Sequence, residues 1–149
     1  MEQKIDILVV EPGKAPYPAS IGDSVEAAES CLGGTAELGC FLPQRVMLVS
    51  REDGKGLMPN RRMPGDGRCI RGTFLLCGIP EEGNRLISLS CRQREEFRRL
   101  FSKPGEFMTV GDAVYADPDD AAEAVYGLWD SLADGESLTV TKWGNAYAG

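Results

Sequence analysis

The chain has 149 residues, of which 42% are apolar and 26% are charged, a balance typical of one soluble globular domain. It contains no histidine, which excludes histidine-containing metal sites and the Ser-His and Cys-His nucleophile pairs. The formal net charge of −7 is unevenly distributed, with −5 over residues 1–44, +6 over residues 45–103 and −8 over residues 104–149. Eleven of the thirteen cations in the middle segment are arginines, so the acidic composition does not exclude an anionic ligand.

The N-terminal third predicts a strand, a helix and two more strands. Residues 4–10 are almost continuously apolar, as in a central strand. A helix capped by Asp23 or Ser24 runs to about residue 32, where two glycines end it. Short strands are predicted over residues 35–42 and 45–50, with a proline between them.

The middle segment combines an irregular stretch with a strand and an Arg-rich helix. Residues 56–67 are rich in glycine and proline and predict a loop, and residues 69–77 predict one strand. Residues 90–93 have the Ser-x-x-Gln form of a capping box, so a helix to about residue 102 is expected. The predicted buried face of this helix consists of Phe97, Leu100 and Phe101.

The last segment, residues 105–149, is predicted to be an acidic β-α-β extension packed on a main domain of residues 1–104. Its helix has an apolar stripe formed by Ala121, Ala122, Val125, Leu128, Trp129 and Leu132. Four acidic residues surround the start of this helix: Asp117, Asp119, Asp120 and Glu123. We interpret them as partners of the positive helix end, because the spacing of a calcium loop is missing, and we predict no metal site.

Together these elements predict an α+β fold, a small mixed sheet with about three helices in a single compact unit. The five cysteines match no zinc spacing and are interpreted as free thiols of a reducing compartment. No apolar run approaches the ~20 residues of a membrane span, and no signal peptide is recognisable. We therefore expect a cytoplasmic protein that does not contact a membrane and has no cofactor.

Several short motifs occur in order along residues 4–104. They are Val9-Val10-Glu11-Pro12-Gly13-Lys14, Gly33-Gly34, Asp53-Gly54-Lys55, Pro59-Asn60-Arg61, Gly72-Thr73-Phe74 and Ser88-Leu89-Ser90. In this order and spacing they resemble the family called domain of unknown function 3846. The resemblance implies a small protein of a phage, a conjugative element or a bacterial host, with no established activity. Arg51 and the acidic segment 105–149 depart from the usual pattern of that family.

The candidate binding residues lie in and just after the Gly/Pro-rich stretch, and they are Asn60, Arg61, Arg62, Arg68 and Arg71. Guanidinium groups bind phosphate or carboxylate through two parallel hydrogen bonds, so this cluster predicts contact with an anionic ligand or with a host protein. In the alternative interpretation, Arg61 organises the loop by donating to backbone carbonyls. Nucleic acid stays open as a partner, although no nucleic-acid motif is present.

These features favour a non-enzymatic accessory protein of phage or mobile-element type that acts by binding. No GxSxG, HExxH, CxxC or GxGxxG motif is present, and no catalytic residue is assigned. Two alternatives stay open. One is a histidine-free enzyme that uses Asp or Glu with Arg on a phosphate-containing substrate, and the other is a structural or oligomerisation module.

Overall fold

The computed structural model describes residues 3–54, 57–64, 68–80, 83, 85–103, 105, 107–111, 113–115, 118–129 and 139–143. In chain order its elements are β1 (Lys4–Val10), β2 (Tyr17–Gly22), α1 (Val25–Leu32), β3 (Ala36–Leu42), a short 3₁₀ turn (Pro43–Arg45), β4 (Val46–Arg51), β5 (Pro59–Arg62), β6 (Cys69–Arg71), β7 (Phe74–Gly78), α2 (Cys91–Leu100), β8 (Phe107–Val110), β9 (Ala113–Tyr115), α3 (Pro118–Trp129) and β10 (Val140–Trp143). The predicted α+β fold with about three helices is confirmed.

A five-stranded sheet lies at the centre, with the spatial order β2-β1-β7-β4-β3. Each strand is antiparallel to its neighbours. Helix α1 covers one face, where Ala28 and Leu32 pack with Ile7 and Val9. Helix α2 and the β5–β6 hairpin cover the other face. Both sides of β1 are therefore buried, which explains its continuous apolar run.

The predicted starts of α1 and α2 are confirmed. The Ser24 hydroxyl accepts the N–H of Ala27 at 3.1 Å at the start of α1, and Gly33 ends that helix in the left-handed region with φ of 80°. At the start of α2, Ser90 and Gln93 exchange the two hydrogen bonds of a capping box. These caps are local in sequence, which is why the sequence is sufficient to predict them.

The prediction of one strand over residues 69–77 is wrong, because residues 69–71 and 74–78 form two strands in two different sheets. Strand β6 pairs with β5, and β7 lies in the central sheet. The chain turns at Gly72, whose φ of 76° favours glycine and whose missing Cβ would lie 2.7 Å from Leu57 Cδ1. Residues 59–62, predicted as irregular, form β5 because they pair with β6.

The predicted buried face of α2 is correct for Phe97 and Phe101, each 3% exposed, and wrong for Leu100, which is 55% exposed. The Phe101 ring packs edge-on against Phe74 with a centroid distance of 5.3 Å. Since successive helix residues are rotated by about 100°, the side chain after Leu100 points inward and Leu100 itself points to the side.

The C-terminal segment forms a separate three-stranded sheet, β10-β8-β9, on which α3 packs. The N–H of Gly105 donates to the carbonyl of Asn60 at 3.2 Å, which connects this segment to β5. On α3, Ala121 is buried whereas Trp129 is 65% exposed, and the predicted positions Asp117 and Leu132 lie outside the described residues. Of the helices that the structure describes, none is long and apolar enough to cross a membrane.

Candidate functional site

The structure places the five predicted binding residues in three different environments. Asn60 and Arg61 are buried, with exposures of 1% and 2%. Arg68 and Arg71 line one surface cleft, and Arg62 lines another. The cluster that is compact in sequence is therefore divided in space.

Asn60 joins three parts of the chain inside the protein. Its Nδ2 donates to the carbonyls of Val10 at 2.9 Å and Gly72 at 2.8 Å. Its Oδ1 accepts a hydrogen bond from Nη1 of Arg61 at 2.7 Å. Both the amide nitrogen and the amide oxygen are thus used within the protein, and the side chain holds the end of β1 against the turn between β6 and β7.

Arg61 has five N–H donors, and five hydrogen bonds to protein oxygens match them. Nε and Nη2 donate to the carbonyl of Phe101 at 3.2 and 3.1 Å, and Nη2 also donates to the carbonyl of Lys14 at 2.5 Å. Nη1 donates to the carbonyl and Oδ1 of Asn60. We call Asn60 and Arg61 the interior pair. Its bonds correspond to the alternative interpretation, in which Arg61 organises the structure through backbone carbonyls.

The C-terminal end of α2 accounts for a charged side chain at this buried position. Phe101 is the residue that caps the helix, so its carbonyl lies at the negative end of the helix dipole. A guanidinium that donates to this carbonyl receives both a hydrogen bond and a favourable field. The positive charge of Arg61 is thereby stabilised below the surface, but no donor remains for a ligand.

Arg68 and Arg71 line a cleft between the β5–β6 hairpin and the β3–β4 edge of the central sheet. We call it the hairpin cleft, and its volume is about 210 Å³. Its floor is apolar, and the sheet wall contributes Arg51 together with the carboxylates of Glu37 and Glu52. Nη1 of Arg71 donates to the carbonyl of Leu57 at 3.4 Å. The hairpin cleft thus carries both signs of charge.

Arg51 was absent from the candidates derived from the sequence. Its Nε and Nη2 bind the two carboxylate oxygens of Asp53 at 3.0 and 2.8 Å. The hydrogen bond from Arg51 lowers the pKa of Asp53 and raises the pKa of Arg51. The only signal for Arg51 in the sequence was its departure from the family pattern.

The hairpin cleft also contains two thiols, Cys40 and Cys69. Burial raises the pKa of Cys69, and the nearby Arg71 opposes that effect. All five cysteines are free thiols, in agreement with their interpretation from spacing. Among the described residues, no group of three or more Cys, Asp or Glu side chains could hold a metal ion.

Arg62 lies in a larger groove of about 400 Å³ between β5 and the C-terminal end of α2. We call it the helix groove, and its lining includes Arg61, Arg62, Met63, Pro64, Leu100 and Lys103. The charged lining residues that the structure describes are all cations, two of them exposed at the surface and the third, Arg61, buried beneath them. The side chain of Leu100 forms an exposed apolar wall.

Lys103 and Leu100 are not among the site residues predicted from the sequence. Lys103 is separated from Arg62 by about forty positions, and only the packing of α2 against the hairpin brings them into one groove. A basic last turn of α2, with Arg98 and Arg99, was the one local signal that this helix end is positively charged.

Comparison with known proteins identifies a family but no individual relative. No curated protein and no solved structure matches the chain. The family described as "Domain of unknown function (DUF3846)" matches residues 5–102, which include the interior pair and the whole lining of the hairpin cleft. Lys103, on the rim of the helix groove, lies one residue beyond the match. The chain therefore belongs to the DUF3846 family, a family of domains of unknown function.

Proposed function

We propose that this protein is a non-enzymatic, cytoplasmic accessory protein of phage or mobile-element type, and that it acts by binding an anionic ligand in the helix groove. The observation that carries the proposal is the charge of this groove, whose described charged lining residues are all cations. The hairpin cleft, in contrast, also contains Glu37 and Glu52, which oppose the binding of an anion. The phage context is what the family resemblance implies.

The two exposed cations of the helix groove come from different elements. Arg62 is the last residue of β5, and Lys103 follows α2. Arg62 offers a planar fork of donors, and Lys103 offers a compact charge with three donors. An anion between them would receive hydrogen bonds from both sides, while the fixed charge of Arg61 below adds attraction without a direct bond.

The proposal is tested by calorimetric titration of the full chain with sodium phosphate at constant ionic strength. We expect saturable binding to the wild type and at least a tenfold weaker affinity for the double variant R62Q/K103Q, since about 1.5 kcal/mol or more is typical for a hydrogen bond to a charged group. The matched control is Arg92→Gln, which removes an exposed cation of α2 outside the groove.

Two results would refute this assignment. One is an R62Q/K103Q protein that binds phosphate as the wild type does, and the other is an equal loss in the Arg92→Gln control. Arg61→Ala is not a suitable test, because loss of binding in that variant would follow from damage to the interior of the protein.

A second candidate function is a histidine-free enzyme that acts on a phosphate-containing substrate in the hairpin cleft. The observation in its favour is the combination of Glu37 and Glu52 with Arg68 and Arg71 along one cleft. A carboxylate could serve as acid or base while the guanidinium groups hold the phosphate. This candidate predicts hydrolysis of p-nitrophenyl phosphate that is lost in E37Q/E52Q and retained in Glu95→Gln. Absence of hydrolysis above the rate in buffer, with and without added magnesium, would rule out this substrate for the cleft.

A further inference from the structure

We infer that the ligand of the helix groove is a small phosphate monoester whose phosphate is attached to an apolar body. The inference rests on the proposed function and specifies its ligand class. It follows from three properties of the groove: an exposed leucine beside its cations, the number and origin of these cations, and the volume available.

The first property is the position of Leu100. It is 55% exposed although Phe97 and Phe101 on the same helix are each 3% exposed. A single exposed leucine on a convex surface is ordinary, but this one lines a concave groove together with Pro64 and Met63. A ligand that covers the leucine gains affinity by removing apolar surface from water, which an inorganic anion cannot do.

The second property is the charge that the groove presents. Arg62 and Lys103 approach from β5 and from the end of α2, and the guanidinium of Arg61 is held beneath them by its bonds to Phe101 and Asn60. A phosphate monoester has up to two negative charges and three terminal oxygens, so it can accept hydrogen bonds from both exposed cations at once. A carboxylate has one charge and two oxygens, and it matches this set less completely.

The third property is size. The groove volume of about 400 Å³ lies within the range of roughly 300 to 1,000 Å³ that is typical of small-molecule sites. The hairpin cleft, at about 210 Å³, lies below that range. The helix groove therefore has space for an apolar group next to the phosphate, on the side where Leu100 lies.

The test is a calorimetric comparison of four probes on the full chain: sodium phosphate, phenyl phosphate, benzoate and benzyl alcohol. We expect phenyl phosphate to bind about tenfold more tightly than phosphate, because the ring covers the leucine. Benzoate should bind more weakly than phenyl phosphate, and benzyl alcohol should show no saturable binding.

Leu100→Ser should reduce the affinity for phenyl phosphate to that for phosphate. Leu38→Ser, which changes an exposed leucine of β3 outside the groove, should leave both affinities unchanged.

The outcomes separate this inference from the proposed function. If phosphate and phenyl phosphate bind equally and both affinities depend on Arg62 and Lys103, the groove binds anions and the inference of an apolar body is wrong. Benzoate binding as tightly as phenyl phosphate would overturn the assignment of a phosphate. If neither phosphate nor phenyl phosphate binds in a manner that depends on Arg62 and Lys103, both the inference and the proposed function fail.

Discussion

Arg61 and Arg62 are neighbours in β5, yet their guanidinium groups have opposite surroundings. Arg61 is buried and donates to carbonyls from three parts of the chain, whereas Arg62 is exposed in the helix groove. Burial of a charged group is costly unless hydrogen bonds replace those to water, and five such bonds do so for Arg61. We therefore assign a structural role to Arg61 and a binding role to the adjacent Arg62.

This difference predicts opposite effects on stability. Arg61→Met leaves the carbonyls of Lys14 and Phe101 without their donors, so we expect the free energy of unfolding to fall by about 3 kcal/mol. Arg62→Gln removes an exposed side chain and should change it by less than about 0.5 kcal/mol. Urea unfolding of both variants measures the two values. Equal losses would contradict the assignment of Arg61 to the interior.

Cys77 provides a pH-dependent prediction. Burial raises the pKa of this thiol from 9.0 to about 12. In the unfolded chain the thiol ionises near pH 9, while in the folded protein it stays neutral up to about pH 12. The stability linked to this group is thus fully present below pH 9 and is lost as the pH rises above it, by about 1.4 kcal/mol for each pH unit.

The measurement is urea unfolding at pH values from about 8 to about 10.5, for the wild type and Cys77→Val. The valine variant lacks the titrating thiol, so its free energy of unfolding should decrease less steeply over this interval. Identical slopes for the two proteins would show that Cys77 ionises in the folded state as readily as in the unfolded one.

Helix α2 both packs on the central sheet and lines the helix groove, and different side chains make these two contacts. Phe97 anchors the helix on the central sheet, and Leu100 faces the helix groove. We expect Phe97→Ala to lower the free energy of unfolding by about 3–5 kcal/mol. Leu100→Ser should change it by about 0.5 kcal/mol or less, because the side chain is more exposed than buried. Thermal or urea unfolding measures both, and a large loss in Leu100→Ser would indicate that Leu100 belongs to the core.

Elements whose signals are local could be predicted from the sequence, and elements that depend on distant pairing could not. The capping box of α2 and the left-handed Gly33 after α1 are formed by residues a few positions apart. Strand β5 depends on β6 for its hydrogen bonds, and its proline and asparagine are atypical of a strand. The break at Gly72 was hidden because Ile70 and Thr73 on either side of it are β-branched and an apolar run follows from Phe74, as in a continuous strand.

On the scale of the whole molecule, the basic middle segment does not form one surface. Arg61 lies in the interior, Arg68 and Arg71 line the hairpin cleft and Arg62 lines the helix groove, while Arg92 is exposed on α2 outside both. The sequence predicted the five candidate residues as one group because they lie within twelve positions of one another. Their separation depends on acceptors far along the chain, such as the carbonyls of Lys14 and Phe101, and no local pattern of β5 indicates these partners.

The two roles of Arg61 and Arg62 are tested together by an NMR titration of the full chain with sodium phosphate, in which the Nε–Hε signals of both residues are followed. We expect a saturable shift of the Arg62 signal, because its guanidinium binds the anion in the helix groove. We expect a much smaller shift for Arg61, whose Nε donates to the carbonyl of Phe101 at 3.2 Å. A stationary Arg62 signal, or an Arg61 signal that moves as far as that of Arg62, would show that Arg62 does not bind the anion or that Arg61 is not confined to the interior.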